Sequence, residues 1–406
     1  MMHSATKLSV RDRRREKLPQ LDVLRGICAI FVALNHTEFQ APLIRLSFFR
    51  NSALFVDFFF VLSGFIMTYN YERLATLPEL GRFMALRFAR VYPLHLVMLF
   101  VFLGYETLQW FVSHVLHVPL HTPPFSENTA SGFLLNLLLL NGVGLRPLTF
   151  NIPSWSISTE FWTYLLFGLV LVTFAGRHKL HVWLYTAIAV AALAVLLLAN
   201  PDPSLTRNWE FFLPRCVFGF FLGAMLCSAL APMLARRSEQ ELPLAPASPS
   251  TPNSVAGFLW QMSSMAIVAV VVTYAVPANH AIEFAAPFAF VVVIASFVVF
   301  PNTLCVRWLT RDSLLWIGKV SYSIYMVHMI VLFVIEAVLR YVLHAPTTAR
   351  GLETSQLVGF VSVVTYLCSV LGVAALTYRF VEDPGRQLGR DLLKRRSTAS
   401  RVQTAP

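Results

Sequence analysis

The stretch that decides the fold is VWLYTAIAVAALAVLLLAN, residues 182–200, which contains 19 residues and no charged side chain. A helix of that length rises about 30 Å, which matches the hydrocarbon thickness of a bilayer. The whole chain has 406 residues, of which 56% are hydrophobic and only 13% are charged, whereas a soluble domain carries about 25% charged residues. We therefore predict an all-α integral membrane protein, and the composition excludes a soluble enzyme.

Ten apolar blocks of this kind are long enough to be transmembrane helices. They lie near residues 22–41, 54–70, 91–113, 155–175, 182–200, 209–230, 255–276, 281–300, 320–343 and 356–380. A further block, residues 132–145, is shorter and is interrupted by Asn136 and Asn141. Whether this block crosses the membrane decides the orientation of every later span.

The basic residues between the blocks answer that question. If residues 132–145 do not cross, 25 of the 32 Lys and Arg residues lie on one side of the membrane. Cytoplasmic loops carry such an excess of positive charge. We therefore predict about ten transmembrane helices, with both termini in the cytoplasm and a re-entrant or interfacial segment near residues 131–153.

The predicted ten-helix membrane domain covers residues 21–384. Two basic cytoplasmic tails, residues 1–20 and 385–406, flank it. Residues 236–254 include a segment rich in Pro, Ala and Ser, which is typical of a flexible loop. This loop separates six predicted spans from four, and the two sets show no internal repeat.

The formal net charge of +11 raises the question of nucleic-acid binding. The basic residues form short clusters between apolar blocks, however, which favours contact with membrane lipids and argues against a nucleic-acid partner. The five cysteines show no pairing pattern and predict neither disulfides nor a thiol metal site. His114, His117 and His121 lie in an outer loop without a reinforcing carboxylate or thiol, so we predict no metal site.

Charged residues within the first span are candidates for function, because a charge inside a bilayer needs a partner or a cavity. In LDVLRGICAIFVALNH, residues 21–36, Arg25 and His36 are 11 residues apart. They therefore share one helical face and lie about 16 Å apart along the axis. Asp22 lies near the same face. The alternative is that Arg25 reaches the membrane surface and His36 bonds to a neighbouring helix.

A second candidate group begins the span PSWSISTEFW, residues 153–162, where Ser156 and Glu160 share a face at i,i+4 spacing. If this span starts at the outer surface, Glu160 lies at about the depth of His36. It could then hold the imidazole in its basic tautomer or share its proton. The alternative is an interfacial carboxylate that only solvates the start of a helix.

Two further spans carry supporting polar residues. In VSYSIYMVH, residues 320–328, the side chains of Ser321, Tyr325 and His328 lie on one face. His328 could equally be a packed histidine that bonds within the bundle. Asp57, in FVDFFF near the outer end of its span, is a further candidate for a supporting role, and it could equally be a structural partner of an Arg or a His.

An inner basic cluster stands in RFARVYP, residues 87–93, where Arg87 and Arg90 are neighbours at i,i+3. Guanidinium groups in this arrangement can bind the phosphates of a nucleotide-containing donor. The alternative is a cytoplasmic loop that contacts anionic lipids.

Taken together, these segments resemble the membrane-bound acyltransferase family 3, bacterial O-acyltransferases that act on surface polysaccharides and related acceptors. The resemblance extends over residues 21–384, nearly the whole chain. It rests on six segments in the family's order: LDVLRGICAIFVALNH, FFFVLSGFIM, RFARVYP, PSWSISTEFW, VSYSIYMVH and RFVEDPGR.

The resemblance implies an enzyme of the bacterial cytoplasmic (inner) membrane. Such an enzyme moves an acyl group, acetyl by default, from cytoplasmic acyl-coenzyme A to a hydroxyl of a carbohydrate or lipid-linked glycan acceptor. Acyl-coenzyme A is a co-substrate, and no bound cofactor is expected. Carried onto this chain, the resemblance implies Arg25 and His36 as the essential pair, Arg87 and Arg90 as donor-binding residues, and Glu160 as a further site residue. The acceptor, the acyl group and the oligomeric state stay open.

The spacing of the first span agrees with this chemistry. Coenzyme A phosphates near Arg25 would leave the pantetheine arm to cover the ~16 Å to His36, where the imidazole can take a proton from an attacking hydroxyl. We favour direct transfer, because no Ser or Cys nucleophile pairs with His36 by spacing.

Two other functions fit buried charges: a proton-coupled secondary transporter, and a flippase of a glycan or lipid intermediate. A transporter predicts inverted sequence halves, which the six-plus-four arrangement does not show. A flippase explains the basic inner loops but not the alignment of Arg25 with His36.

Overall fold

The computed structural model shows a bundle of α-helices. It describes residues 18–403 apart from residues 38, 40, 43, 121, 241–254, 276–279, 345–346, 349–350 and 353–354. Most of the predicted N-terminal tail, most of the predicted loop 236–254, and the last three residues lie outside the described residues.

The described helices follow the predicted blocks. In chain order they are α1 (Pro19–Asn35), α2 (Ser47–Arg50), α3 (Phe55–Tyr71), α4 (Leu77–His114), α5 (Ala130–Leu137), α6 (Trp155–Thr173), α7 (His178–Ala194), α8 (Phe212–Gln240), α9 (Val255–Tyr274), α10 (Ala286–Val299), α11 (Leu304–Leu309), α12 (Asp312–Lys319), α13 (Ser321–Ala337), α14 (Gln356–Thr377) and α15 (Asp383–Gln403). A pair of two-residue antiparallel strands, β1 (Thr347–Thr348) and β2 (Gly351–Leu352), lies between α13 and α14.

Within the described part of the chain, nine helical segments are long and apolar enough to cross a membrane. The 17-residue α1, shorter than those nine, coincides with the first predicted span and supplies the tenth. The prediction of an all-α, roughly ten-helix membrane protein is therefore confirmed.

The segment predicted not to cross is folded as a short helix followed by irregular chain. The eight residues of α5 rise about 12 Å, too little to span a bilayer. Asn136 and Asn141, which interrupt the block, are buried. The Asn136 amide donates to Gly132 O and Thr149 Oγ1, and the Asn141 amide donates to Ser154 Oγ. These bonds give the buried amide groups of both asparagines hydrogen-bond partners, as buried polar groups require.

The helix α4 begins earlier than predicted, at Leu77 rather than near residue 91. Its start is explained by a capping box, in which Thr76 Oγ1 accepts from Glu79 N and the Glu79 carboxylate accepts from Thr76 N. The basic cluster around Arg87 therefore lies on a rigid helix and not in a loop.

Helical structure extends into two of the segments that were predicted to lie outside the membrane helices. Residues 236–240, assigned to the loop 236–254, continue α8, and Arg237 donates to the carbonyls of Val298 and Val299 at the end of α10. The C-terminal tail 385–406 is helical up to Gln403. Its first turns pack on α4 because glycines allow close approach: a Cβ on Gly385 would lie 2.7 Å from the Pro93 ring.

Close helix packing also positions the centre of the bundle. The backbones of α3 and α8 cross at Gly64 and Gly223, where an added Cβ would collide with the carbonyls of Phe220 and Val61. Small residues at such crossings are typical of membrane helices. The remaining helices that matter for the site, α1, α4, α6 and α13, surround this pair.

Candidate active site

A cavity of about 400 Å³ opens among α1, α3, α4, α6 and α13. It collects most of the polar residues that the sequence singled out. The predicted site residues on its wall are Asp22, Arg25, Arg87, Arg90, Ser156, Glu160, Ser321 and Tyr325. Two helices distant in sequence, α1 and α4, thus bring three guanidinium groups to one space.

Arg25 is held from two sides. Its Nε donates to Ser321 Oγ at 2.8 Å, and its Nη2 donates to Gly318 O at 3.3 Å. Within α1, Asp22 forms an ion pair with it at 3.1 Å. The Arg25 side chain is still 27% exposed, so it is fixed in direction yet open to a ligand.

Arg87 and Arg90 lie on the cavity wall across from α1. Arg87 donates to the hydroxyl of Tyr71 at 3.1 Å and lies 5.4 Å from the centre of that ring. Arg90 interacts electrostatically with Glu382, a carboxylate that is only 1% exposed. Tyr322 of α13 donates to the Val91 carbonyl at 2.6 Å and ties this turn of α4 to the bundle.

Glu382 was missed by the sequence analysis, although it lies in the segment RFVEDPGR. It accepts from Ser323 at 2.8 Å, pairs with Arg386 at 3.6 Å, and also interacts with Arg25 and Arg90. A carboxylate at the end of an apolar span was the signal that could have revealed it. It is thus a buried negative charge beside Arg386 that also interacts with two of the three cavity arginines.

Glu160 does not contact His36, so the predicted contact is wrong. Its carboxylate accepts from the Tyr164 hydroxyl at 2.6 Å, and that hydroxyl is bonded to Ser63 at 2.9 Å. The physical reason is the depth of α6. Its first turn lies inside the bundle beside Tyr325, so Glu160, one turn further along α6, faces the cavity next to Tyr164 and Ser63.

The partner of His36 is His328, with ring centroids 5.0 Å apart and planes inclined at 51°. The Nδ1 atom of His36 lies 2.9 Å from the carbonyl oxygen of Val32. The Nδ1 atom of His328 lies 2.6 Å from the carbonyl oxygen of Tyr325. A carbonyl oxygen only accepts, so each Nδ1 carries the hydrogen and each neutral ring keeps its lone pair on Nε2. The Nε2 of the fully buried His328 has no hydrogen-bond partner in the described structure.

Tyr325 separates the cavity from this histidine pair. Its hydroxyl accepts from Ser156 Oγ at 2.9 Å and donates to Pro153 O at 3.0 Å. Its ring lies 5.8 Å from that of His328. Tyr325 and Ser156 line the cavity, and the described lining includes neither histidine. The pair therefore stands directly behind Tyr325.

Asp57 lies away from the cavity and forms an ion pair with Arg215 at 2.8 Å, with side-chain exposures of 0% and 2%. Arg215 also packs over the ring of Trp155. Asp57 thus has a buried arginine as its partner, which is one of the two alternatives for this residue. Arg215 itself was missed, although a charge within an apolar block was again the available signal.

The described residues contain no group of three His, Cys, Asp or Glu side chains arranged to hold a metal ion. Of the three loop histidines, His114 stacks on Trp110, and His121 lies outside the described residues.

Comparison with known proteins gives a consistent set of relatives. The family model described as an acyltransferase domain matches residues 18–379. The peptidoglycan O-acetyltransferase OatA of Listeria monocytogenes is 23% identical over 402 residues, covering 92% of this chain and 57% of the relative. O-acetyltransferase OatA of Staphylococcus aureus is 24% identical over 389 residues, covering 92% and 58%. Acyltransferase MdmB of Streptomyces mycarofaciens is 28% identical over 201 residues, covering 46% and 48%.

This chain thus aligns with about half to three-fifths of the length of these relatives. No solved structure matches it significantly.

Proposed function

This chain belongs to the acyltransferase-domain family, and we propose that it is a membrane O-acyltransferase that moves an acyl group, in the simplest case acetyl, from acyl-coenzyme A to a carbohydrate hydroxyl. The observation that carries the proposal is the position of Tyr325, which lies between a cavity lined by Arg25, Arg87 and Arg90 and the pair His36 and His328. The proposed donor-binding cavity and the two histidine bases therefore lie next to each other.

The cavity supplies what a coenzyme A thioester needs. The three guanidinium groups can form charge-assisted bonds to the phosphates of the nucleotide end. Apolar side chains such as Ile66 and Met67 line the same space and suit the pantetheine arm. The charge pattern of the loops supports a donor side facing the cytoplasm of a bacterium, with both termini on that side.

His36 is proposed as the general base. Its Nε2 takes the proton of the acceptor hydroxyl while the oxygen attacks the thioester carbonyl. The new C–O bond forms, the C–S bond breaks, and the coenzyme A thiolate receives the proton back from His36 as it leaves. No acyl-enzyme is needed, since the nearby Ser156 hydroxyl donates to Tyr325 and does not face a base.

His328 is proposed as the residue that stabilises the protonated form of His36. Both rings use Nδ1 to donate to a backbone carbonyl. When His36 gains a proton on Nε2, the unprotonated Nε2 of His328, on a ring whose centroid lies 5.0 Å away, can serve as an acceptor. The pair can thus share one additional proton.

Glu160 is proposed to act on the donor side of the cavity. It orders the hydroxyls of Tyr164 and Ser63 on the wall and adds negative charge near Arg25 and Arg90. Its role is therefore to position the wall, and not to orient His36.

The direct test compares the envelope glycans of a strain lacking this protein with those of its parent by mass spectrometry. The proposal predicts the loss of a mass increment equal to one acyl group on a carbohydrate, restored by the wild-type chain and not by His36→Ala at equal membrane abundance. His114→Ala, an exposed histidine outside the site, is the matched control. Unchanged glycans, or an accumulated unmodified solute, would instead support a flippase or a proton-coupled transporter.

A further inference from the structure

A second cavity, of about 270 Å³, lies at the other end of the same helices. Its wall includes Tyr105 of α4 and Glu336 of α13. The arginine cavity uses Arg90 and Tyr325 of the same two helices. Along α4 the separation is 15 residues, about 22 Å, and along α13 it is 11 residues, about 16 Å. The two cavities therefore open towards opposite ends of the bundle.

One segment of chain forms a wall of both cavities. Phe150 and Ile152 line the second cavity, and Ser156 lines the arginine cavity. Between them, the carbonyl of Pro153 accepts the hydroxyl of Tyr325 at 3.0 Å. A molecule in the second cavity is thus separated from the donor space by this short segment, beside the residue that adjoins the histidine pair.

The lining of the second cavity combines aromatic faces with polar groups. The rings of Tyr105 and Phe333 lie 5.8 Å apart, inclined at 30°, and Tyr341 adds a third ring. Gln109 and Arg340 supply an amide and a guanidinium group. A saccharide needs this combination, because its hydroxyls bond to amide and charged groups while its C–H face packs on aromatic rings.

The charges of this cavity are mostly negative. Glu106, Glu127 and Glu336 line it, against the single guanidinium of Arg340. The Glu106 carboxylate accepts from the Asn128 amide at 2.6 Å and so fixes the loop that closes the cavity. This balance attracts a neutral or amine-bearing ligand and repels a phosphate or carboxylate.

We propose that the second cavity binds the saccharide acceptor, and that it selects a sugar unit without an anionic group. The identification of the bound sugar as acceptor rests on the proposed acyltransfer. The binding of a saccharide as such does not. Donor and acceptor then approach the reacting atoms from opposite ends of the bundle, on the two sides of the Pro153–Tyr325 contact.

The test measures binding of three oligosaccharides to the purified full-length protein by calorimetry. The probes are a neutral chito-oligosaccharide, its amine-bearing de-N-acetylated form, and an anionic oligogalacturonate. Tyr341→Ala is expected to raise the Kd of the neutral probe about 10-fold, the loss of roughly one aromatic contact. Glu127→Gln, at an exposed loop position, is expected to reduce the discrimination against oligogalacturonate. Trp110→Leu, on α4 but outside the cavity, is the matched control and should change neither value.

Two kinds of failure are distinguishable. The cavity assignment would be overturned if Trp110→Leu weakened saccharide binding as much as Tyr341→Ala does, or if Tyr341→Ala did not weaken it. It would also be overturned if the wild-type protein bound none of the probes saturably. Acetyl-coenzyme A binding, measured in parallel, should be unaffected by all three substitutions. If the probes bind as expected but the wild type never transfers acetyl to them or to envelope glycans, the saccharide site stands and the acyltransferase proposal is contradicted.

Discussion

The imidazole rings of His36 and His328 lie with centroids 5.0 Å apart, and each ring directs its Nδ1 to a carbonyl of its own helix. Two separate backbone bonds therefore set the same tautomer in both rings, with both Nε2 atoms unprotonated. Each ring is oriented before any substrate arrives, which is the condition under which a general base acts efficiently.

Replacing His328 should impair proton handling without affecting donor binding. We expect His328→Gln to lower kcat by about 10- to 100-fold, because one good hydrogen bond to a charged group contributes roughly 1.5–3 kcal/mol. The Kd of acetyl-coenzyme A should stay within about twofold of the wild-type value. Single-turnover assays with labelled acetyl-coenzyme A, together with equilibrium binding, separate the two quantities. A rise in donor Kd with unchanged kcat would show that His328 belongs to the donor site.

Removing either guanidinium group of α4 should weaken the donor. We expect Arg87→Gln and Arg90→Gln each to raise the Kd of acetyl-coenzyme A about 10- to 100-fold, the effect of a lost charge-assisted bond. Arg82→Gln is the matched control, because Arg82 is an exposed residue of the same helix outside the cavity.

Comparison of acetyl-coenzyme A with its 3′-dephospho analogue then assigns the contacts. A residue that binds the 3′-phosphate should lose its effect with the analogue. If Arg82→Gln weakens the donor as much as the other two substitutions, the contribution is general surface charge and the donor assignment is contradicted.

The buried carboxylate of Glu382 should be required to keep the arginine groups together. We expect Glu382→Gln to lower the free energy of unfolding by several kcal/mol, since Arg386 and Arg90 lose the charge of a buried carboxylate that also accepts from Ser323. Thermal unfolding in detergent measures the change. Asp391→Asn, an exposed carboxylate on α15, should have no measurable effect. An unchanged Tm for Glu382→Gln would refute this role.

The ion pair of Asp57 with Arg215 should matter for stability alone. Breaking it with Asp57→Asn should cost about 3–5 kcal/mol, because a fully buried guanidinium loses its counter-charge. The double variant Asp57→Leu with Arg215→Met should recover most of the loss. The folded protein should keep its wild-type affinity for acetyl-coenzyme A. A double variant less stable than the single one would contradict this account.

Sequence patterns predicted those features that depend on one helix. The common face of Asp22 and Arg25 became an ion pair within α1, whereas the hydrogen bond between Ser156 of α6 and Tyr325 of α13 joins two helices and was not predicted. Loop charge predicted that residues 131–153 do not cross. These inferences need only helical periodicity and the exclusion of charge from lipid.

Sequence patterns did not predict which residues on different helices contact each other. The depth of Glu160 depends on Asn151, whose amide donates to Met326 O at 3.0 Å and sets the first turn of α6 inside the bundle. Arg215, the partner of Asp57, and Ser323, one of the partners of Glu382, are likewise remote in sequence. A single sequence shows that such charges need partners, but it does not show which helix supplies them.

The most direct test of the central claim is acetyl transfer by purified His36→Gln protein, measured with labelled acetyl-coenzyme A and extracted envelope glycan. The account predicts wild-type donor affinity, normal thermal stability, and a transfer rate lower by about 10²- to 10⁴-fold, the contribution of a general base. A His36→Gln protein that still transfers acetyl at the wild-type rate would contradict it.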